Sequence, residues 1–171
     1  YIHNLEPFWD HYWKNGENDK LGWRLEYNMK HRGDVYATHG LGPVAQALDI
    51  HRGDRMKTLV AMDTKSVVGK SLVEERTGQP CENFRNGDHT TTLIRTENGK
   101  VIEIQHDVMT PQPYNRLYQL TGTKGFANKY PIAGYALDAK QLNASGVAPE
   151  VDNLNSHSFM PKKDMEALVQ K

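Results

Sequence analysis

The sequence is short of several features that define large classes of protein. Its single cysteine, Cys81, excludes an internal disulfide and a thiolate metal cluster. It carries 21 basic and 21 acidic residues, so no excess charge favours nucleic acid or an anionic membrane as a partner. No apolar run approaches the length of a membrane span. With 37% apolar residues, the chain has the composition of an ordinary globular protein.

Familiar catalytic and binding signatures are missing as well. There is no GxSxG turn for a serine nucleophile, and no HxH or HxxxH spacing for a metal, so we predict no metal site. No glycine-rich dinucleotide loop follows a strand, so we expect no cofactor-binding residues in this segment. No signal sequence is present. Because the chain starts at Tyr1, we expect a fragment whose targeting segment lies upstream, and export to a periplasm is left open.

Hydrophobic periodicity predicts both strands and helices along the chain. The predicted strands are 21–30, 57–63, 90–96, 100–108, 114–120 and one near Phe126, with 57–63 mostly buried. The predicted helices are one that follows Asp34, a new segment from Pro43 through 44–50, and the segments 65–77 and 162–170. Asn98 and Gly99 predict a tight hairpin between two strands. Residues 139–161 predict a long loop.

These elements together predict an α+β fold, with an open, mixed or mostly antiparallel sheet that carries helices on one face. The 171 residues suffice for a single domain with a real core, so we expect one domain over 1–171. An open sheet has a second face. That face must meet another domain, a partner subunit or solvent, so a homodimer through the open sheet is one expectation.

One stretch, GDVYATHGLGP at 33–43, concentrates reactive groups. If Asp34 caps a helix, Tyr36 and His39 lie three residues apart and share a face. A phenol and an imidazole that point the same way can accept or donate protons near neutral pH. The same residues also suit an ordinary helix start with a surface histidine, and both interpretations stay open at this point.

Four segments resemble one known family. They are WRLEYNMKHR, GDVYATHGLGPVAQ, HDVMTPQPYNRLYQLTGTKG and FMPKKDMEALV, and they follow the family's order over nearly the whole chain. The family is glycoside hydrolase family 109, the NAD-dependent α-N-acetylgalactosaminidases, within the Gfo/Idh/MocA oxidoreductase superfamily. Its members carry an N-terminal Rossmann domain that nothing here matches. The resemblance therefore implies the C-terminal, substrate-facing domain of a larger two-domain protein.

The resemblance also assigns residues to a site. The family's YxTH tetrapeptide falls on Tyr36, Thr38 and His39, with Ala37 at the variable position. Its substrate-contacting arginine falls on Arg24 and its second tyrosine on Tyr118. The resemblance implies that the five residues other than Ala37 bind substrate, and that His39 and Tyr36 are catalytic.

The implied function is hydrolysis of terminal α-N-acetylgalactosamine from a glycan. The family's route is redox-neutral: oxidation, elimination, addition and reduction, with retention of configuration. NAD is the implied cofactor, bound mainly by the missing N-terminal domain, so the isolated segment is expected to be inactive. Two alternatives remain: a sugar dehydrogenase domain of the same superfamily, and a non-catalytic sheet domain used for dimerisation or carbohydrate binding.

Overall fold

A computed structural model of the chain describes residues 1–4, 9–10, 14–15, 20–130 and 133–137. The chain divides into two compact units between Tyr114 and Asn115. The first unit holds the helices α1 (Trp23–Lys30), α2 (Ala37–Ala47) and α3 (Val68–Thr77) and the strands β1 (Lys14–Asn15), β2 (Lys20–Leu21), β3 (Met56–Asp63), β4 (His89–Thr96) and β5 (Val101–Asp107). The second unit holds β6 (Gln119–Gly122), β7 (Gly125–Asn128) and β8 (Gly134–Leu137). The predicted loop at 139–161 and helix at 162–170 lie outside the described residues.

The described sheets are antiparallel and open. In the first unit, β4 lies between β3 and β5, and β1 pairs with β2 in a short ribbon. In the second unit, β7 lies between β6 and β8. Since helices accompany antiparallel strands, this is the α+β fold that the sequence predicts. No helix among the described residues is both long enough and apolar enough to cross a membrane.

Two hydrophobic clusters form the core of the first unit. In one cluster, α2 packs on the inner face of β4 and β5. Its members are Ile50, Ile94, Ile102 and Ile104, with Leu41, Val44, Ala45, Leu48 and Met56 packed against them. The other cluster joins α1 and α3, and its members are Trp9, Leu25, Leu72, Val73, Cys81, Val108 and Met109. Tyr36 packs against this second cluster, directly before α2. The start of α2 therefore lies where the two clusters meet.

The prediction of a strand at 21–30 is wrong, because this segment forms α1. Apolar residues at every second position also recur four residues apart, which suits a helix as well as a strand. Leu25 and Met29 share the helix face that packs on the core. Trp23 and Tyr27 share another face and are exposed. The alternation was therefore compatible with both periods, and tertiary packing selected the helix.

Strand β3 exists as predicted, but it is exposed rather than buried. Its apolar side chains Leu59, Val60 and Met62 are exposed to 59%, 61% and 77%. The reason is its place at an edge of the three-stranded sheet, where it pairs with β4 alone among the described strands. The apolar run therefore predicted the strand correctly, but the prediction that the strand is buried was wrong.

Two further boundaries differ from the predictions. Helix α2 runs unbroken through Pro43, where we expected a new helical segment. The predicted strand at 114–120 is wrong over most of its length, because β6 begins only at Gln119.

The predicted hairpin at Asn98 and Gly99 and the predicted end of the helix at residue 77 are confirmed. Asn98 and Gly99 connect β4 to β5, and Gly99 has the left-handed φ of 82° that such a turn requires. Gly78 ends α3 in a left-handed conformation with φ 66°. Helix α3 itself begins three residues later than the predicted 65–77.

Candidate functional site

The start of α2 is built by a short turn around Asp34. The Tyr36 backbone N–H donates to Asp34 Oδ1 over 3.0 Å, and the His39 N–H donates to the Tyr36 carbonyl over 2.9 Å. The helix N-cap position belongs to Tyr36 and not to Asp34, so the helix begins later than the expected cap implied. Tyr36 and His39 still share one side, with ring centroids 5.8 Å apart. The predicted pairing of these two side chains is therefore present.

A close contact between α2 and β5 adds a second histidine to this place. A Cβ on Gly40 would lie 3.0 Å from Ile104 Cγ2, so the absence of a side chain lets the helix approach the strand. His106 lies two residues beyond Ile104 on the same inner face of β5. Its ring stacks with that of Tyr36, with centroids 6.0 Å apart and an interplanar angle of 26°.

Tyr1 completes a group that we call the ring cluster: Tyr1, Tyr36, His39 and His106. The Tyr1 ring stacks on His39 with centroids 4.9 Å apart. Backbone hydrogen bonds hold this end of the chain beside β5, where Asp107 N–H donates to the Tyr1 carbonyl over 3.0 Å. His3 joins the edge of the cluster, since its Nδ1 lies 2.8 Å from the Tyr1 hydroxyl. Two phenols and two imidazoles thus meet at one end of α2.

Burial shifts the pKa values of two ionisable groups at this place, His106 and Asp34. His106 is 2% exposed, and burial is the main cause that lowers its pKa to about 4. Burial also raises the pKa of Asp34, although the hydrogen bond from the Tyr36 N–H opposes the shift. Near neutral pH His106 is therefore an uncharged imidazole. The cluster contains phenols and imidazoles, which are groups that can exchange protons.

The other predicted site residues belong to three different segments of the chain. Thr38 is exposed in the first turn of α2, between Tyr36 and His39. Arg24 lies on α1, half-buried, with its guanidinium carbon 4.3 Å from the centroid of the Trp23 ring. Tyr118 belongs to the second unit, where the Lys129 ammonium lies 5.5 Å from its ring centroid. That Arg24 and Tyr118 face His39 stays a prediction.

The ring cluster brings together side chains that can transfer protons, namely phenols and imidazoles. Two carboxylates lie next to it: Asp34, in the turn before α2, and the fully buried Asp107, directly after His106. Within the part of the chain that the structure describes, no three His, Cys, Asp or Glu side chains come together as metal ligands.

Sequence reasoning missed the contribution of His106 and Tyr1. His106 lies 67 positions from His39, and this distance gives no local signal. One signal was present: Ile102, Ile104 and His106 share a strand face, so a histidine continues an otherwise apolar inward row. A polar residue at such a position is worth examining as part of a site.

The close approach at Gly40 leads to a prediction on a matched pair of glycines. Gly42→Ala should raise stability by about 0.5–1 kcal/mol, because a Cβ there meets nothing within 4 Å and alanine suits a helix. Gly40→Ala should instead be less stable than Gly42→Ala by about 1–3 kcal/mol, because its methyl presses on Ile104. Urea unfolding of the two variants compares them. Equal stabilisation by both would contradict the contact.

Comparisons with known proteins point to one family. A family model described as "Glycosyl hydrolase 109, C-terminal domain" matches residues 9–148. Glycosyl hydrolase family 109 protein 5 of Phocaeicola vulgatus is 83% identical over 100% of this chain and 33% of its own length. Family 109 proteins of Porphyromonas gingivalis and Bacteroides thetaiotaomicron are each 56% identical over 100% of this chain and 35% of their own lengths. The chain spans about a third of the curated relatives that it matches.

Proposed function

Because the chain belongs to glycosyl hydrolase family 109, matching its C-terminal domain, we propose that it is the substrate-facing domain of a larger two-domain glycosidase. We propose that the full-length protein removes terminal α-N-acetylgalactosamine from glycans, with NAD as cofactor. The observation that supports this most is the pairing of Tyr36 and His39 at the start of α2, with ring centroids 5.8 Å apart. Both belong to the motif that carries the resemblance.

In this proposal, the residues of the chain bind the sugar and move its protons. His39 is the leading acid or base, and Tyr36 lies beside it. Together they can accept and donate the protons at O3 and C2 of the sugar. Thr38 is exposed on the same turn and can contact a hydroxyl or amide of the substrate. Arg24 and Tyr118 are proposed to hold the sugar, which requires several donors that converge on one ligand.

The donor set fits a reaction assisted by NAD. When bound, NAD supplies a reversible hydride acceptor for C3 of the sugar. What remains for the chain is proton transfer, and the ring cluster consists of phenols and imidazoles, of which His106 is held neutral by burial. The Asp34 carboxyl lies beside these rings, and burial raises its pKa. The residues that hold the cofactor are expected mainly outside this chain.

One assay separates the proposed function from its alternatives. The full-length protein is incubated with an aryl α-N-acetylgalactosaminide and NAD+, and both aryl release and NADH absorbance are recorded. A redox-neutral glycosidase releases the aryl group without net NADH. A sugar dehydrogenase accumulates NADH in proportion to substrate, and a non-catalytic domain gives neither signal, which would refute the proposal.

The isolated 171-residue chain should fold but remain inactive. Its apolar content supports a core, whereas the sequence lacks a glycine-rich dinucleotide loop. Isothermal calorimetry should therefore detect no tight NAD+ binding by this chain, while its circular dichroism shows a cooperative thermal transition. Tight NAD+ binding by the chain alone would refute the proposal that the cofactor is held mainly outside this chain.

We also propose that two copies pair through the outer face of the β3–β4–β5 sheet. Val60 faces Leu93 across the strands there, and Met62 and Val101 are exposed on the same side. Exposed apolar side chains grouped in this way, with Arg95, Glu103 and Gln105 beside them on the same face, are typical of an interface. Light scattering should show that the full-length protein is dimeric and that Met62→Glu makes it monomeric. Val67→Glu, an equally apolar and exposed position off the sheet, is the control that should stay dimeric.

A further inference from the structure

Three buried polar atoms in or next to the ring cluster have no hydrogen-bond partners in the described part of the chain. They are Asp34 Oδ2, His106 Nε2 and Thr90 Oγ1. The side chains of His106 and Asp34 are 2% and 9% exposed, and His106 Nε2 lies 3.7 Å from Asp34 Oδ1, longer than a hydrogen bond. Thr90 is the direct cross-strand neighbour of His106, so both face the same side of the sheet.

Folding stability does not explain why these polar groups are buried here. The inward row of β5 is otherwise apolar, and burial of an imidazole or a carboxylate without full hydrogen bonding is destabilising. An apolar side chain at 106 would continue the packing of Ile102 and Ile104 without that cost. Residues that break a local rule in this way are expected at functional positions.

Both groups touch the proposed catalytic residues. Asp34 Oδ1 accepts the Tyr36 N–H over 3.0 Å, which fixes the backbone at the residue that begins α2. The His106 ring stacks on the Tyr36 ring, and the Tyr1 ring lies 6.3 Å from His106 and 4.9 Å from His39. A contact network therefore runs from the buried pair to both Tyr36 and His39.

We propose that Asp34 and His106 form a positioning pair that holds Tyr36 and His39 in the orientation for proton transfer. The proposal rests on the proposed function and deepens it, because it concerns the same site. Asp34 acts through the Tyr36 backbone, and His106 acts through the stacked rings. Neither residue needs to contact the sugar. Supporting residues of this kind matter because a reacting group misplaced by about 1 Å can lower the rate about 10²-fold.

Two substitutions separate positioning from space filling in the full-length protein. His106→Phe keeps a ring against Tyr36 but removes both nitrogens, and Asp34→Asn keeps an acceptor for the Tyr36 N–H but removes the carboxylate. We expect His106→Phe to lower kcat about 10²-fold, with KM unchanged and Tm equal to or above that of the wild type. Asp34→Asn should lower kcat less than Asp34→Ala, because the alanine also removes the acceptor for the Tyr36 N–H.

Matched controls use residues of the same types away from the cluster. Asp49→Asn and His31→Gln alter exposed side chains and should keep the wild-type kcat and KM. If the pair only fills space, His106→Phe keeps the wild-type kcat, and the proposal is overturned. A lower Tm in His106→Phe with normal kcat per folded molecule overturns it as well.

A second readout does not depend on activity. Histidines of the full-length protein are labelled with ¹³C at Cε1, and the His39 resonance is identified by its loss in His39→Ala. The resonance should move in His106→Phe and in Asp34→Asn, and it should stay in place in Asp49→Asn. An unmoved resonance overturns the positioning pair, whether or not the wild type is active. If the resonance moves in these two variants but the wild type releases no sugar, only the proposed function is refuted.

Discussion

His39→Ala in the full-length protein is expected to lower kcat for α-N-acetylgalactosaminide hydrolysis by about 10²- to 10⁴-fold, the usual range for a positioned acid or base. The reason is that His39 carries the imidazole at the start of α2, 5.8 Å from the Tyr36 ring centroid. Folding should change little. His39 is half-buried and belongs to neither hydrophobic cluster, and its replacement removes its ring contacts with Tyr1 and Tyr36.

Turnover and melting temperature measured on one preparation of this variant decide between catalysis and structure. His31→Ala is the control, because His31 is exposed and stacks only on Tyr27 among the described ring pairs. If His39 is merely a helix-start residue, its loss lowers Tm and leaves the activity per folded molecule near normal. A stable and fully active His39→Ala would remove this residue from the site.

Gly87→Ala should give the largest loss of stability among the single substitutions considered. Gly87 is buried, and a Cβ there would press on the Thr64 carbonyl oxygen and lie 2.8 Å from Asp63 Cβ. Because backbone cannot move aside as a flexible side chain can, the segment itself must shift. We expect a loss of about 1–3 kcal/mol or more in the free energy of unfolding.

The backbone shift at Gly87 should affect the starts of α2 and α3 through the neighbouring residues Asn86 and Asp88. Asn86 Oδ1 accepts the Gly33 N–H over 2.9 Å, next to Asp34. Asp88 accepts the N–H groups of Val67, Val68 and Gly69 at the start of α3, over 2.8 to 2.9 Å. Gly87→Ala is therefore expected to lower kcat as well as stability. Urea unfolding and turnover, with Gly42→Ala as the tolerated reference, measure both effects, and wild-type stability would contradict the packing at Gly87.

Local signals in the sequence were sufficient for turns and caps. Asn98 and Gly99 predict the β4–β5 hairpin because few residues adopt the left-handed φ that its turn needs. Gly78 predicts the end of α3 for the same reason. The start of α2 was predicted less exactly: Tyr36 and His39 do share one side, but the N-cap residue is Tyr36 and not Asp34.

Contacts that depend on tertiary packing were not predictable in this way. The apolar alternation at 21–30 fits both a strand and a helix, and only the packing of Leu25 against the core decides for α1. The exposure of β3 follows from its edge position, which its own sequence does not reveal. The approach of His106 to Tyr36 joins residues 70 positions apart through the Gly40 and Ile104 contact.

The hydrogen isotope at C2 of the released sugar tests the account most directly. The full-length protein with NAD+ hydrolyses an α-N-acetylgalactosaminide in D₂O, and the product is examined by NMR and mass spectrometry. Proton removal and return at C2, the step assigned to the residues at the start of α2, predicts solvent deuterium at C2 with retained configuration and no net NADH. A product with only protium at C2, formed equally fast after NAD+ is removed, would contradict the account.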